Sequence, residues 1–242
     1  MPSDLPPTAM PSSPPSPGDT ASGDGHDVEV RERAGSRPTI QVLPSGVVRV
    51  TAPPGTNIHS LLERHTAWIE RKRGEMLAVA RDRAGQEGRI LLEGRFYRLE
   101  AGPSCGIRED EGIVGYTTPG DLKVFLKDRL VGDLLPRLER QASRMGLRFT
   151  GLSIREQRTR WASCSPSGGI SVNLRVLALP GSVREYLVVH ELAHLFVPDH
   201  SRRYWKRVAG FYPDYAFAEE ELKRYWILLE QDSIWKVLRK LK

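Results

Sequence analysis

Hydrophobic and polar positions first alternate along this chain, then change period. From Val28 the two kinds of side chain trade places over 28–33, 39–43 and 47–51, the period of strands with one covered face. Pro44-Ser45-Gly46 separates the last two as a hairpin-like turn, and Pro53-Pro54-Gly55 stops the sheet. After Thr56, Leu61, Leu62, Trp68, Ile69, Met76 and Leu77 recur at helical spacing, predicting one long helix to about Arg83. Short apolar runs at 90–92, 96–99, 114–116 and 122–126 predict further strands, with a turn at Glu93-Gly94-Arg95. A second helix is expected over 128–145, stopped by Gly146.

Beyond it, 151–156, 159–163 and 170–173 read as short strands. Ser182 and Glu185 have capping-box spacing and open the next helix, which Pro198 is expected to end. Helices at 202–208 and 218–229 follow, on either side of Pro213. Residues 1–27 show neither period. Rich in Pro, Ser, Gly and Asp, they cannot bury enough apolar surface to offset their ordering entropy, and are expected to be a disordered acidic tail. The expected organisation is thus a tail over 1–27, a strand-rich part with the long helix over 28–146, and a compact part over 147–242.

The helix expected after Ser182 carries His190-Glu191-Leu192-Ala193-His194, and His200 follows. Residues four apart share a helix face, so His190 and His194 can aim two imidazoles at one ion. Glu191, about 100° round the helix, is placed to take a proton from an activated water. With His200 the donor set is three neutral nitrogens, which describes a catalytic site for one zinc ion with an open position rather than a closed structural site. Three of the chain's six histidines lie in this segment. Leu187, Val188, Val189, Leu192, Leu195 and Phe196 around them predict burial, where unpaired polar groups are costly and a cation would satisfy them together. A glutamate further on (Glu219, Glu220 or Glu221) is the rival third ligand. The expected chemistry is hydrolysis of an amide bond in a protein or peptide.

Composition narrows the setting. No apolar run approaches the roughly 18 residues of a membrane span. No basic residue precedes Arg31 and there is no apolar leader core, so a cytoplasmic location is expected. Cys105 and Cys164 are too few and too far apart for a disulfide framework or a zinc ribbon, and are expected to be reduced thiols. The chain's net charge is +6, while Asp4, Asp19, Asp24 and Asp27 are the only charged side chains of 1–27, so the remainder is more basic still. That charge admits a second reading, a nucleic-acid-associated zinc protein: a protease of DNA-linked proteins, or a binding module whose zinc is structural. Arg64, Arg71, Lys72, Arg73, Arg155, Arg158 and Arg160 gathered in one stripe beside the cleft would favour it.

The block Arg160-Trp161-Ala162-Ser163-Cys164-Ser165, then Gly169-Ile170-Ser171-Val172-Asn173-Leu174-Arg175, leads into Tyr186-Leu187-Val188-Val189 and the His-Glu motif. His200-Ser201, Tyr204-Trp205 and Pro213-Asp214-Tyr215 come after it. This order resembles the YgjP-like metallopeptidases, relatives of the SprT and WLM zinc peptidases, over about 28–230. The resemblance implies an α+β fold whose C-terminal half is zincin-like, a small antiparallel sheet packed on the HExxH helix with two or three helices after it. It also implies His190, His194 and His200 as metal ligands and Glu191 as base. Metzincin proteases share the histidine spacing but carry glycine where this chain has Val197, so the turn must differ. Ala162 stands where the family usually has glycine. Arg160, Trp161, Ser163, Asn173 and Tyr204 are candidate substrate contacts, with either 161–165 or 170–173 as an edge strand for an extended peptide; the competing and simpler reading is that Trp161 and Cys164 pack against the zinc helix. Asp199, Asn173 and Asp214 are candidates to orient a ligand imidazole, and Tyr204 to donate to an oxyanion.

Overall fold

A computed structural model describes residues 20–23, 26–43 and 45–241, and they divide into two compact units, Met1–Leu77 and Ala78–Lys242. In the first unit, β1 (Thr20–Gly23), β2 (His26–Glu32), β3 (Thr39–Val42) and β4 (Val48–Ala52) form one sheet in the order β1-β2-β4-β3. Only β2 and β4 run parallel. Alternation in β4 buries Val48, Val50 and Ala52 against Leu61 and Ile69. The expected tail therefore needs correction. Its residues 1–19 lie outside the described residues, but 20–23 pair with 26–29 through the backbone, which requires no apolar side chains.

The single long helix expected after Thr56 is two, α1 (Ile58–Arg64) and α2 (Thr66–Arg83). His65 leaves helical geometry between them, at φ −113° and ψ 8°, and Asn57 caps α1 by accepting the Ser60 N–H.

The second unit holds a sheet of β5 (Arg89–Leu92), β6 (Arg95–Ala101), β7 (Gly106–Arg108) and β8 (Ile113–Tyr116), ordered β5-β6-β8-β7. Helix α3 (Pro119–Met145) follows. It absorbs residues 122–126, expected above as a strand. Leu122 and Leu126 are the first members of a series four apart, continued by Leu130, Leu134 and Leu138, and all five are buried. Thr118 caps the start by accepting the Asp121 N–H, Pro119 fits the first turn, and Gly146 ends the helix at φ 68° as expected.

A second sheet of β9 (Gly151–Arg155), β10 (Ala162–Cys164) and β11 (Gly169–Asn173) has the order β10-β11-β9. It is mixed rather than purely antiparallel, because β9 runs parallel to β11. A 3₁₀ turn over Leu174–Ala178 leads to α4 (Gly181–Ala193), the helix of the His-Glu motif. Helices α5 (Arg202–Phe211), α6 (Tyr215–Gln231) and α7 (Ser233–Lys240) complete an α+β architecture. One core joins both sheets, α3 and α4, so no boundary falls at 146; the leucine face of α3 serves elements on either side of it in sequence.

The expected capping box is absent. Helix α4 begins at Gly181 with Pro180 before it and no side-chain cap. The Glu185 carboxylate instead accepts from Arg137 at 2.7 Å, Arg140 at 3.0 Å and Gln141 at 2.5 Å on α3, charge-assisted partners stronger than a backbone N–H. Among the described residues no helix is long and apolar enough to cross a membrane.

Candidate metal centre

Tyr186, His190 and His194 follow one another four residues apart on α4, so their rings share a face. The opposite face, with Leu187, Val188 and Leu192, is buried in the core and fixes the helix. The regular helix stops at Ala193, short of Pro198, but His194 keeps right-handed helical angles (φ −63°, ψ −20°) and stays in register. Hydrogen bonds from the Phe196 and Val197 N–H groups to the Ala193 carbonyl turn the chain back. His200 thereby returns to the face it left.

The three rings converge. Ring centroids lie 5.2 Å apart for His190 and His194, 5.2 Å for His190 and His200, and 4.8 Å for His194 and His200. One nitrogen from each lies within 4.8 Å of the other two. The Nε2 atoms of His190 and His200 are 3.2 Å apart. Two nitrogens bound tetrahedrally to one zinc ion would be separated by about 3.3 Å, so this pair already has ligand spacing.

Glu191 lies beside them, 5% exposed, and its Oε2 has no hydrogen-bond partner among the described residues. Leu134, Leu138, Ile170, Val172, Leu187 and Val188 line the space around it. Burial pushes its pKa up to about 8, with the Arg160 charge opposing. Burial, then His194 and His200, push His190 down to about 3, and burial followed by His200 lowers His194. Three converging imidazoles, two of them held neutral, form a donor set that fits a divalent cation, with an unpartnered buried carboxyl oxygen beside it.

Partners behind the rings fix their orientation. His190 Nδ1 is 2.9 Å from the Tyr186 hydroxyl, which donates to Glu219 Oε1 on α6. His194 Nδ1 lies 3.3 Å from the Val197 carbonyl. Tyr204 is fully buried; its hydroxyl donates to the His190 carbonyl at 3.0 Å and its ring stacks on His194 at 4.7 Å. Committed in this way, it is a wall of the cluster and not the oxyanion donor considered above. Trp205 stacks on His200 at 5.7 Å and on Tyr215 at 5.2 Å.

The other expected residues divide. Asn173, 2% exposed, donates to the Gln157 and Arg160 carbonyls and accepts the Arg175 N–H. It ties down the segment before β10 and reaches neither a ligand nor the open cleft. Asp199 accepts the Ser201 N–H, and Asp214 precedes α6 without a side-chain cap; neither is bonded to a ligand imidazole. Trp161 meets Trp226 edge-on at 5.0 Å. Ser163 lies on β10, and Arg160 is exposed just before that strand. Ala162 is not among the residues with positive φ, so its methyl group fits the strand without backbone strain. Both cysteines are free; burial, then the Glu191 charge, push the Cys164 thiol up to about 11, which keeps it protonated.

Tyr186 escaped sequence reasoning, although its place one turn before His190 was a usable signal. Glu219, a rival third ligand on sequence grounds, lies on the Nδ1 side of His190, 3.9 Å from that atom and away from the converging Nε2 atoms.

A family model described as the YgjP-like metallopeptidase domain matches residues 36–225. No curated protein matches the chain. Among solved structures, the metallopeptidase zymogen of Pyrococcus abyssi abylysin is 27% identical, covering 41% of this chain and 97% of that one, with a TM-score of 0.36, a superposition too loose to inform the fold.

Proposed function

The chain belongs to the YgjP-like metallopeptidase family, and from that premise we propose a zinc-dependent peptidase in which His190, His194 and His200 hold one ion and Glu191 is the general base. The observation that carries this reading is the buried, unpartnered Glu191 oxygen beside three converging imidazoles. Zinc held there would supply Lewis-acid polarisation of the scissile carbonyl and an acidified water at neutral pH. Glu191 takes the proton from the attacking water and returns it to the departing amine, a two-way transfer that a carboxylate beside the three imidazoles is placed to make. Tyr204 and Trp205 wall the histidines from behind, limiting their rotation.

Among the described residues, strand β10 is an edge strand paired with β11 alone. It packs against α4, the helix of the base, which supports an extended substrate lying along β10. Two free thiols suit a reducing, cytoplasmic setting. A second reading has one supporting observation: Arg155, Arg158 and Arg160 are exposed and form no ion pair among the described residues. Nucleic acid bound there would stimulate the peptidase or bring it to its substrates.

Removing metal with a chelator is expected to abolish hydrolysis of an unstructured protein substrate, and one equivalent of zinc to restore it. Parallel reactions with single- and double-stranded DNA test the second reading. Hydrolysis that survives complete metal removal would defeat the proposal, and rates indifferent to DNA would defeat the second reading.

A further inference from the structure

The hydrogen bonds behind His190 fix where its proton sits. A phenol has one proton, and the Tyr186 hydroxyl gives it to Glu219 Oε1. Its oxygen can therefore only accept from the other neighbour, His190 Nδ1, 2.9 Å away. That assigns His190 the tautomer protonated at Nδ1 and leaves Nε2 with a free lone pair. Nε2 is the atom that faces His200 Nε2 at 3.2 Å. The proton order thus agrees with the direction of convergence, although the two rest on different contacts.

The surroundings hold this arrangement. Tyr186 is fully buried, its ring packed edge-on against His190 at 5.7 Å and tilted against Tyr212 at 5.4 Å. Burial, then the charge of Glu219, raise the Tyr186 pKa far above that of a free phenol, so it stays a donor. The Tyr204 hydroxyl bonds the His190 carbonyl, fixing the backbone beneath the ring. Glu219 is on α6, so the chain of bonds runs from one helix, through a phenol, to a ring on another.

Resting on the reading of His190 as a metal ligand, we propose that Tyr186 and Glu219 are positioning residues that hold His190 in the tautomer and rotation metal binding needs, so that metal retention is governed from α6. Tyrosine serves here as an extension of the carboxylate. Glu219 stops 3.9 Å from the ring nitrogen, and the hydroxyl bridges that gap. Glu219 does not touch the reacting atoms in this account.

The test is a zinc titration against a competing chelator on the full chain, comparing wild type with Tyr186→Phe, Glu219→Gln, Glu219→Ala, the Tyr186→Phe/Glu219→Ala double variant and His190→Ala. Tyr186→Phe keeps the ring volume and removes one hydroxyl, and circular dichroism checks that each variant is folded. Tyr186→Phe and Glu219→Ala are each expected to weaken zinc binding about 10- to 100-fold. The double variant should be no weaker than the worse single one, because both break the same chain of bonds. Glu219→Gln, which retains an acceptor oxygen, should lose less. Nitrogen-15 NMR of metal-free protein should show His190 protonated at Nδ1 in wild type and a tautomer mixture in Tyr186→Phe. Wild-type affinity in folded Tyr186→Phe would overturn the inference. So would a Glu219→Ala loss as large as that of His190→Ala while Tyr186→Phe binds normally, since Glu219 would then be a ligand itself. No zinc bound by wild type would instead sink the metal reading, and this inference with it.

Discussion

Replacing Glu191 with Gln is expected to lower peptide hydrolysis about 10²- to 10⁴-fold while zinc content stays at the wild-type level. The amide has nearly the shape of the carboxylate it replaces and sits among the same leucines and valines, so folding and the histidine cluster should persist. What it lacks is a site that can accept a proton from water and return it to the leaving amine. Metal-free protein offers an independent readout. Burial raises the Glu191 pKa from the ordinary 4.5 to about 8, so the folded state holds this proton more tightly than the unfolded chain. The stability gained is fully present below pH 4.5 and is lost progressively as pH rises towards 8. Glutamine does not titrate, so the melting temperature of metal-free Glu191→Gln should gain on wild type across that window. A variant that hydrolyses at the wild-type rate would remove Glu191 as the base, and a melting difference independent of pH would contradict its burial as a protonated acid.

The second large effect concerns the frame around the site. Asp232 is fully buried between α6 and α7. Its Oδ1 accepts the Ile234 and Trp235 N–H groups at 2.8 and 3.0 Å, and its Oδ2 pairs with Arg83 at 2.7 Å. The side chain thus caps α7 and ties it to the end of α2, while the Trp235 indole donates to the Leu91 carbonyl. Asp232→Ala removes the cap and strands Arg83, which is itself mostly buried. Breaking one partner of a buried pair costs about 3–5 kcal/mol, much of it from the charge left behind. Asp232→Asn keeps the capping oxygen and should fall between alanine and wild type. Equilibrium unfolding in urea reads both. A loss under about 1 kcal/mol for alanine would mean that water reaches Arg83 freely.

The legibility of this chain followed the range of the interactions involved. His190 and His194 were readable because four residues on a helix fix a shared face locally, and Gly146 because only a residue tolerant of positive φ ends a helix in that way. Leu122 and Leu126 misled because a short apolar run fits either period; the series that settles it as helix extends to Leu138. Ser182 and Glu185 had capping spacing, but Arg137, Arg140 and Gln141, more than forty residues earlier, compete for that carboxylate and win. Asn173 and Tyr204 looked available to a substrate only until their hydrogen bonds to the Arg160 and His190 carbonyls were visible. The sequence offers Glu219 only as one of three glutamates that rival His200 as third ligand, and does not tell on which side of His190 it lies. That depends on the path of α5 and α6, which no local pattern encodes.

The central claim is that three histidines of one short segment hold a single metal ion. It is tested most directly by zinc bound per chain, measured by elemental analysis after dialysis, in wild type and in the His190→Ala/His194→Ala variant. The account predicts one zinc per wild-type chain and essentially none in the variant. Equal zinc in the two proteins would contradict it.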